Sequence, residues 1–194
     1  MAARIPITTE KKTLRRELLS VLRALPEAER LLSDAGICGR AAELPRYKQA
    51  GSLFVFVGLG WEVDTRPLVE GALAAGKQVA VPRCLPGRVM EACLIRSLED
   101  LRQVPPLGLW EPAAMSPALP PGEIDLALIP CVACDKTGRR LGQGGGYYDR
   151  FLRDTGFVKA ALCREALLQE ALPAEDHDVR MDVIITERQT LWQI

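Results

Sequence analysis

Apolar residues recur at helical spacing near the start of the chain. Leu14, Leu18, Leu22 and Leu25 follow one another every three or four residues and predict a helix with one apolar face. We expect Thr8 or Thr9 to cap this helix, because a hydroxyl side chain can accept a hydrogen bond from the first free amides.

A second helix is predicted between Pro26 and Leu44. Proline is favoured at the first position of a helix, where its missing N–H costs nothing. The apolar residues of this segment predict its inward face, which we expect to consist of Leu31, Leu32, Ala35, Cys38 and Ala42.

Short segments rich in β-branched and apolar residues follow the two helices. They predict strands at residues 52–57, 79–81, 90–95, 126–130, 158–163 and 183–186. Between the first two, Thr65 is placed to cap a helix and Gly76 to end it. Pro82 is expected to close the second strand. Residues 104–122 contain six prolines and predict an ordered surface crossing.

Strands that alternate with helices indicate an α/β fold with a mainly parallel, Rossmann-like sheet and helices on both faces. The 194 residues are enough for one domain with a sizeable core and few for two, so we expect a single domain over residues 1–194. Ligands of such sheets bind beyond the carboxyl ends of the strands.

A glycine-rich turn follows the strand predicted at 126–130. Four glycines occupy the five positions 142–146, after Arg139 and Arg140 and before Tyr147. Glycines let the backbone approach a ligand and point amides at it, and arginine forks bind phosphate oxygens. The spacing fits neither the common phosphate loop nor the dinucleotide fingerprint. We interpret the turn as the centre of a nucleotide-using active site.

Charged residues elsewhere leave alternatives open. Lys11 and Arg15 lie one turn apart on the first helix, and so do Lys12 and Arg16, so either pair could face a ligand or solvent. Asp149, at the start of a predicted helix, could hold Mg²⁺ or stabilise the helix start. Two further candidates are Glu62, after the first strand, and the acidic segment 173–178. The tryptophans are predicted to be packing residues.

The composition of the chain argues against nucleic acid and membranes as binding partners. Basic and acidic residues number 25 each, so no global field draws the chain to nucleic acid or membranes. No apolar run approaches the roughly 20 residues that span a bilayer, and we expect a cytoplasmic protein. Its six cysteines predict buried free thiols. Cys131 and Cys134 have redox or zinc spacing, but the sequence offers no second ligand pair.

These residues resemble the 5-formyltetrahydrofolate cyclo-ligase family, also called methenyltetrahydrofolate synthetases. Residues 138–149 read Gly-Arg-Arg-Leu-Gly-Gln-Gly-Gly-Gly-Tyr-Tyr-Asp, similar to the family's G-x-R-L-G-x-G-x-G-Y-Y-D. Supporting matches along nearly the whole chain are Lys11 to Arg15 for K-x-x-L-R, Glu62 in Trp-Glu-Val-Asp-Thr, Gly-Leu-Trp-Glu-Pro at 108–112, and His177-Asp178 ahead of Ile-Ile-Thr-Glu at 184–187.

The resemblance implies a three-layer α/β/α sandwich and assigns roles. The family's register selects Lys11 and Arg15 as the ATP-binding pair. The full set of implied nucleotide contacts is Lys11, Lys12, Arg15, Arg140, Leu141, Gly142, Gln143, Gly144, Gly145, Gly146, Tyr147 and Tyr148. The implied folate contacts are Val57, Glu62, Gln143, Gly144, Gly145, Gly146 and Tyr147. Asp149 and Asp178 match magnesium-holding positions, and Arg140 and Tyr147 are the catalytic candidates.

The implied reaction is the ATP- and Mg²⁺-dependent closure of 5-formyltetrahydrofolate to 5,10-methenyltetrahydrofolate by a monomer. The alternatives are a sugar-phosphate isomerase or acyltransferase on the same scaffold, and a non-catalytic paralogue that binds folate or nucleotide. One departure is local. Where the family reads P-G-x-x-F-D, this chain has Cys131 for the glycine and Cys134 for the aromatic residue.

Overall fold

The structure is a computed structural model that describes residues 6–106 and 108–193. Its helices are Ile7–Ala24 (α1), Glu27–Glu43 (α2), Pro45–Gln49 (α3), Arg66–Ala74 (α4) and Tyr147–Leu152 (α5). Its strands are Ser52–Val55 (β1), Gln78–Leu85 (β2), Val89–Ile95 (β3), Leu101–Val104 (β4), Leu109–Pro112 (β5), Leu126–Pro130 (β6), Ala133–Asp135 (β7), Arg140–Leu141 (β8), Val158–Leu162 (β9), Leu168–Gln169 (β10), Val183–Ile185 (β11) and Thr190–Trp192 (β12).

A seven-stranded sheet forms the centre of the molecule, in the order β12-β11-β9-β6-β1-β2-β3. The pairs among β11, β9, β6, β1 and β2 are parallel, and β3 and β12 pair antiparallel at the two edges. Strand β1 is buried throughout because it lies between two parallel neighbours. The predicted mainly parallel sheet is therefore confirmed.

Helices cover both faces of this sheet. Alternate side chains of β1 point to opposite faces: Leu53 and Val55 pack with α2, α3 and α4, whereas Phe54 packs with α1 and α5. Each fully buried side chain of this kind contributes about 1.5–3 kcal/mol through the hydrophobic effect. Two cores that share one sheet make a three-layer α/β/α sandwich, which confirms the predicted fold.

The predicted helix caps differ from the observed ones. Helix α1 begins at Ile7 after Pro6, so neither Thr8 nor Thr9 caps it. Thr65 does precede α4, but its hydroxyl donates to the carbonyl of Phe56 and does not cap the helix. The hydroxyl of Thr65 thus bonds to the segment that directly follows β1, a contact that the local sequence does not reveal.

The inward face of α2 also differs from the prediction. Leu31 and Leu32 are 60 % and 75 % exposed, and Ala35 is exposed as well. Cys38 is buried as predicted, but it is accompanied by Ser33, Ile37 and Ala41. The apolar residues of α2 are spread over more than one face, so apolar character alone did not identify the face that packs on the sheet.

Strand β2 continues through Pro82 and ends at Leu85, so the prediction that Pro82 closes it was wrong. Pairing of β1 with β2 ends at Phe54 and Ala80, while pairing of β2 with β3 continues past Pro82. Beyond Ala80, the side of β2 that faces β1 is therefore not paired with that strand. Proline is tolerated at such a position, because it has no N–H to donate.

Two small sheets were not predicted. Strands β4 and β5 form a hairpin inside the proline-rich region, and β7 pairs with β8 and β10 near the glycine-rich turn. Their strands have two to four residues, too few for alternation to reveal them. In the part of the chain that the structure describes, no helix has the length and apolar character to cross a membrane.

Candidate active site

A cavity of about 700 Å³ lies beyond the carboxyl ends of β1 and β6. Its walls come from the segments after these two strands, the glycine-rich turn at 142–146, the β2–β3 hairpin and the β4–β5 hairpin. This is the edge at which a parallel sheet leaves room for a ligand. The sequence-based placement of the turn at this edge agrees with the structure.

Glycine is required at specific positions of the turn. A Cβ atom at Gly142 would lie 2.8 Å from Nη1 of Arg140, and one at Gly144 would lie 3.2 Å from the guanidinium of Arg15. Gly144 and Gly146 also have positive φ angles of 93° and 72°, which side chains disfavour. The glycines therefore allow two arginines to approach the backbone of the turn.

Arg140 is held beneath this turn. Its side chain is only 4 % exposed, with Nη1 donating to the carbonyl of Pro130 and Nη2 to Asp149, both at 3.1 Å. Its guanidinium lies 5.4 Å from the centre of the Tyr148 ring, and burial raises the pKa of that tyrosine. Nε of Arg140 is buried and has no hydrogen-bond partner among the described residues. The guanidinium thus has a fixed orientation, and its Nε–H is the group that has no hydrogen-bond partner among the described residues.

Helix α1 presents Lys11 and Arg15 to the same region. Nε of Arg15 donates to the carbonyl of Gly142 at 2.7 Å, and burial lowers the pKa of Arg15. Lys11 is 8 % exposed, whereas Lys12 and Arg16 are exposed on another face of the helix. The geometry therefore separates the two basic pairs that the sequence left equivalent, and it places Lys12 away from the turn.

The two predicted magnesium ligands have different partners in the structure. Asp149 accepts from Arg140, and Asp178 accepts from Lys11 at 2.5 Å. Glu175 accepts from the same ammonium group at 2.9 Å, and together with His177 it offers ligand atoms within 4.8 Å of Asp178. Carboxylate oxygens are the donors that Mg²⁺ prefers, so the chemistry of these acids suits that ion.

Glu62 connects the segment after β1 to the glycine-rich turn. Its carboxylate accepts from Nε2 of Gln143 at 2.7 Å and from the amide of Leu59 at 2.9 Å. Burial raises the pKa of Glu62, against the opposing effect of these hydrogen bonds. Val57 lines the cavity next to it. The implied folate contacts Val57, Glu62 and Gln143 are therefore brought together, although they come from distant parts of the sequence.

The remaining predicted residues fall into two groups. Gly145, Tyr147 and Tyr148 line the cavity with the rest of the turn. Leu141 points into the core, where it is buried beside β7, so it could contact a ligand only through its backbone. Of the residues from Arg140 to Tyr148, all except Leu141 therefore line the cavity.

The sequence did not predict that the β4–β5 region forms part of the cavity wall. Val104, Pro105, Pro106, Leu109 and Trp110 from the β4–β5 region line the cavity. They lie in the segment that was predicted to be a surface crossing. The signal available was the Gly-Leu-Trp-Glu-Pro match at 108–112. Trp110 packs against the core, as predicted, and it also lines the cavity.

All six cysteines are free thiols, as predicted. Four are buried, and the two half-buried ones, Cys84 and Cys131, line the cavity. The cysteine that replaces the family's glycine at position 131 is therefore one of the residues that line the candidate site.

Comparison with known proteins identifies the relationship. The model of the 5-formyltetrahydrofolate cyclo-ligase family matches residues 7–187. The 5-formyltetrahydrofolate cyclo-ligase of Mycolicibacterium smegmatis is 32 % identical over 192 residues, covering 92 % of this chain and 94 % of that protein. The enzyme of the same name from Haemophilus influenzae is 28 % identical over 184 residues, covering 92 % and 98 %.

Solved structures agree with the sequence relatives. The 5,10-methenyltetrahydrofolate synthetase of Aquifex aeolicus superposes with a TM-score of 0.83 at 29 % identity, over 94 % of this chain and 92 % of that one. The synthetase of Mycoplasma pneumoniae, at 22 % identity and a TM-score of 0.75, shares the fold over 92 % and 99 % of the two chains. The chain belongs to the 5-formyltetrahydrofolate cyclo-ligase family, a family of ligases.

Proposed function

We propose that this enzyme converts 5-formyltetrahydrofolate and ATP into 5,10-methenyltetrahydrofolate, ADP and phosphate, with Mg²⁺ as the required ion. The observation that carries the proposal is the approach of two arginines, Arg140 and Arg15, to a glycine-rich turn that lines a cavity of about 700 Å³. Arg140 lines the cavity and Arg15 donates to Gly142 of the turn, and guanidinium groups beside a glycine-rich backbone are suited to a triphosphate.

The chemistry explains why a nucleotide is needed. The formyl oxygen attacks the terminal phosphorus of ATP, the P–O bond to ADP breaks, and the oxygen becomes part of a good leaving group. N10 of the same molecule then attacks the formyl carbon. A C–N bond forms, the C–O bond breaks to release phosphate, and N10 loses its proton. Because N10 is already tethered nearby, its effective concentration is high.

Phosphoryl transfer requires charge neutralisation and alignment more than covalent catalysis. Arg140 would contact the transferred phosphate, since it lines the cavity and its guanidinium is fixed by Pro130 and Asp149. Arg15 and Lys11 would neutralise the remaining phosphates from α1. The fixed guanidinium is favourable because it needs little reorganisation when charge develops.

Magnesium would be held by Asp149 and Asp178, whose oxygen donors suit the ion. Its role when bound would be to neutralise charge on the phosphates. In the structure Asp178 and Glu175 share the ammonium group of Lys11, so these two acids already attract a cation. Lys11 would then be free to turn toward phosphate oxygens.

The folate would occupy the part of the cavity that Val57 and Tyr147 line. A volume of about 700 Å³ lies within the range of roughly 300–1,000 Å³ typical of small-molecule sites. Tyr147 lines this space with Val57, and its ring would position the formyl group against the phosphate. The paired side chains of Glu62 and Gln143 would provide the polar contacts that orient the ring system.

A coupled assay tests the proposal. Purified enzyme is mixed with 5-formyltetrahydrofolate, ATP and Mg²⁺, and the near-ultraviolet absorbance of the methenyl product is followed while ADP is quantified. We expect one ADP per methenyl product, with no product when ATP is omitted or Mg²⁺ is chelated. Methenyl product formed without nucleotide, or no ADP release on addition of the folate, would refute it.

A further inference from the structure

Three thiols meet at the end of the central sheet, next to the candidate site. The sulfur atoms of Cys131, Cys134 and Cys163 all lie within 4.8 Å of one another. The sequence pairs only the first two by spacing, because Cys163 is about thirty residues further along the chain. The cluster therefore supplies the third sulfur ligand that the sequence did not reveal.

The fold fixes the positions of these residues. Pro130 and Leu162 are register partners at the ends of the parallel strands β6 and β9, so Cys131 and Cys163 follow them side by side. Cys134 lies in β7, where it pairs with Arg140 of β8 on one side and Leu168 of β10 on the other. Each thiol is thus held by a strand or by the residue that directly follows one.

This spacing suits a common metal ion. Around a tetrahedral zinc ion with Zn–S bonds of about 2.3 Å, the sulfur atoms are roughly 3.8 Å apart. Thiols already within 4.8 Å of one another would need to move by no more than about 1 Å. We propose that Cys131, Cys134 and Cys163 form a three-thiolate site for one thiophilic divalent cation, such as Zn²⁺ or Cd²⁺.

The cluster adjoins the candidate site, because Cys131 is one of the residues that line the cavity. A water molecule would complete the tetrahedral coordination of the ion. Two buried arginines adjoin the cluster: Arg140 donates to the carbonyl of Pro130, directly before Cys131, and Arg164 directly follows Cys163. Each is also paired with a carboxylate, Arg140 with Asp149 and Arg164 with Asp34, so the two arginines offset only part of the net negative charge of three thiolates and one divalent cation.

Cd²⁺ titration of the full chain tests this proposal without substrate or nucleotide. The protein carries no affinity tag and is kept reduced with a non-thiol reductant. We expect one Cd²⁺ per chain with an ultraviolet thiolate-to-cadmium band. Cys131→Ser and Cys163→Ser should each weaken binding by more than about 100-fold, since loss of a ligand's outer partner alone costs roughly 10- to 100-fold.

The matched control is Cys84→Ser. Cys84 is a half-buried thiol in the same cavity wall but outside the cluster, so this variant should bind Cd²⁺ like the wild type. Binding that is unaffected by the cluster variants, or absent from the reduced wild type, overturns the proposal.

A second measurement does not depend on how well the variants fold. X-ray absorption at the zinc edge of the wild-type protein with one equivalent of Zn²⁺ should give three sulfur scatterers at about 2.3 Å. Two or fewer sulfur scatterers would contradict a three-thiolate site.

Discussion

At the scale of single residues, Arg140 is the contact on which phosphate transfer should depend most. Its guanidinium is buried, oriented by Pro130 and Asp149, and stacked near Tyr148. We expect Arg140→Ala to lower kcat by about 100- to 1,000-fold, the usual cost of one preorganised charged contact. Steady-state kinetics of methenyl formation measures this, with circular dichroism to verify folding.

The neighbouring arginine provides the control for Arg140. Nη1 of Arg139 donates to the carbonyl of Leu172, and Arg139 is not among the described residues that line the cavity. Arg139→Ala should therefore leave kcat within about threefold of the wild type. Turnover of Arg140→Ala close to that of Arg139→Ala would remove Arg140 from the mechanism.

Tyr147 should act on the folate through its ring. The residue lines the cavity, and a Cβ at Gly145 would lie 3.1 Å from its ring. We expect Tyr147→Ala to raise KM for 5-formyltetrahydrofolate by about tenfold, equivalent to roughly 1.4 kcal/mol, with a smaller effect on KM for ATP. Tyr147→Phe, which keeps the ring, should resemble the wild type. An effect confined to ATP would contradict this placement.

Glu62 should make stability depend on pH. Burial raises its pKa above the ordinary value of 4.5, so the folded state binds this proton more tightly than the unfolded state. The stabilisation is full below pH 4.5 and is lost as the pH rises through the raised pKa.

Urea unfolding across this pH range measures the effect. The free energy of unfolding of the wild type, relative to Glu62→Gln, should fall as the pH rises from 4.5. A relative stability that is flat or rises with pH would contradict the raised pKa.

At the scale of elements, the glycine-rich turn and α1 should act as one unit. Arg15 donates to Gly142, and a side chain at Gly144 would press on the Arg15 guanidinium. Gly144→Ala combines this clash with a left-handed backbone that costs roughly 1–2 kcal/mol. We therefore expect its KM for ATP to rise by about tenfold or more, measured in the coupled assay.

Gly146 offers the comparison within the same turn. Its φ is also positive, but a Cβ there would meet no atom of the described residues within 4 Å. Gly146→Ala should therefore carry only the backbone cost and impair ATP use less than Gly144→Ala. Equal effects of the two substitutions on the KM for ATP would show that Arg15 does not contribute to ATP binding.

Sequence patterns predicted the elements better than their partners. The strands predicted at 52–57 and 126–130 were found, at 52–55 and 126–130, because almost every residue in these runs is apolar, and this property is local. The contact of Arg15 with Gly142 joins residues 127 positions apart, and only the family resemblance chose Arg15 over Arg16. The exposed face of α2 and the third thiol at Cys163 depend on packing, which periodicity and spacing do not encode.

At the scale of the whole molecule, the two cores share one sheet. Leu53 belongs to one core and Phe54 to the other, so neither core can be lost without exposing β1. We expect residues 1–194 to unfold as a single domain in one cooperative transition. Calorimetry should give equal calorimetric and van't Hoff enthalpies, and two resolved transitions would contradict the single-domain prediction.

We propose that the turn at 142–146 binds the triphosphate of ATP and directs its terminal phosphorus toward the formyl oxygen. A crystal structure with a non-hydrolysable ATP analogue, Mg²⁺ and 5-formyltetrahydrofolate tests this proposal most directly. We expect phosphate oxygens on the amides of the turn and on Arg140, with the formyl oxygen facing the terminal phosphorus. A nucleotide bound elsewhere, with the turn open to solvent, would contradict it.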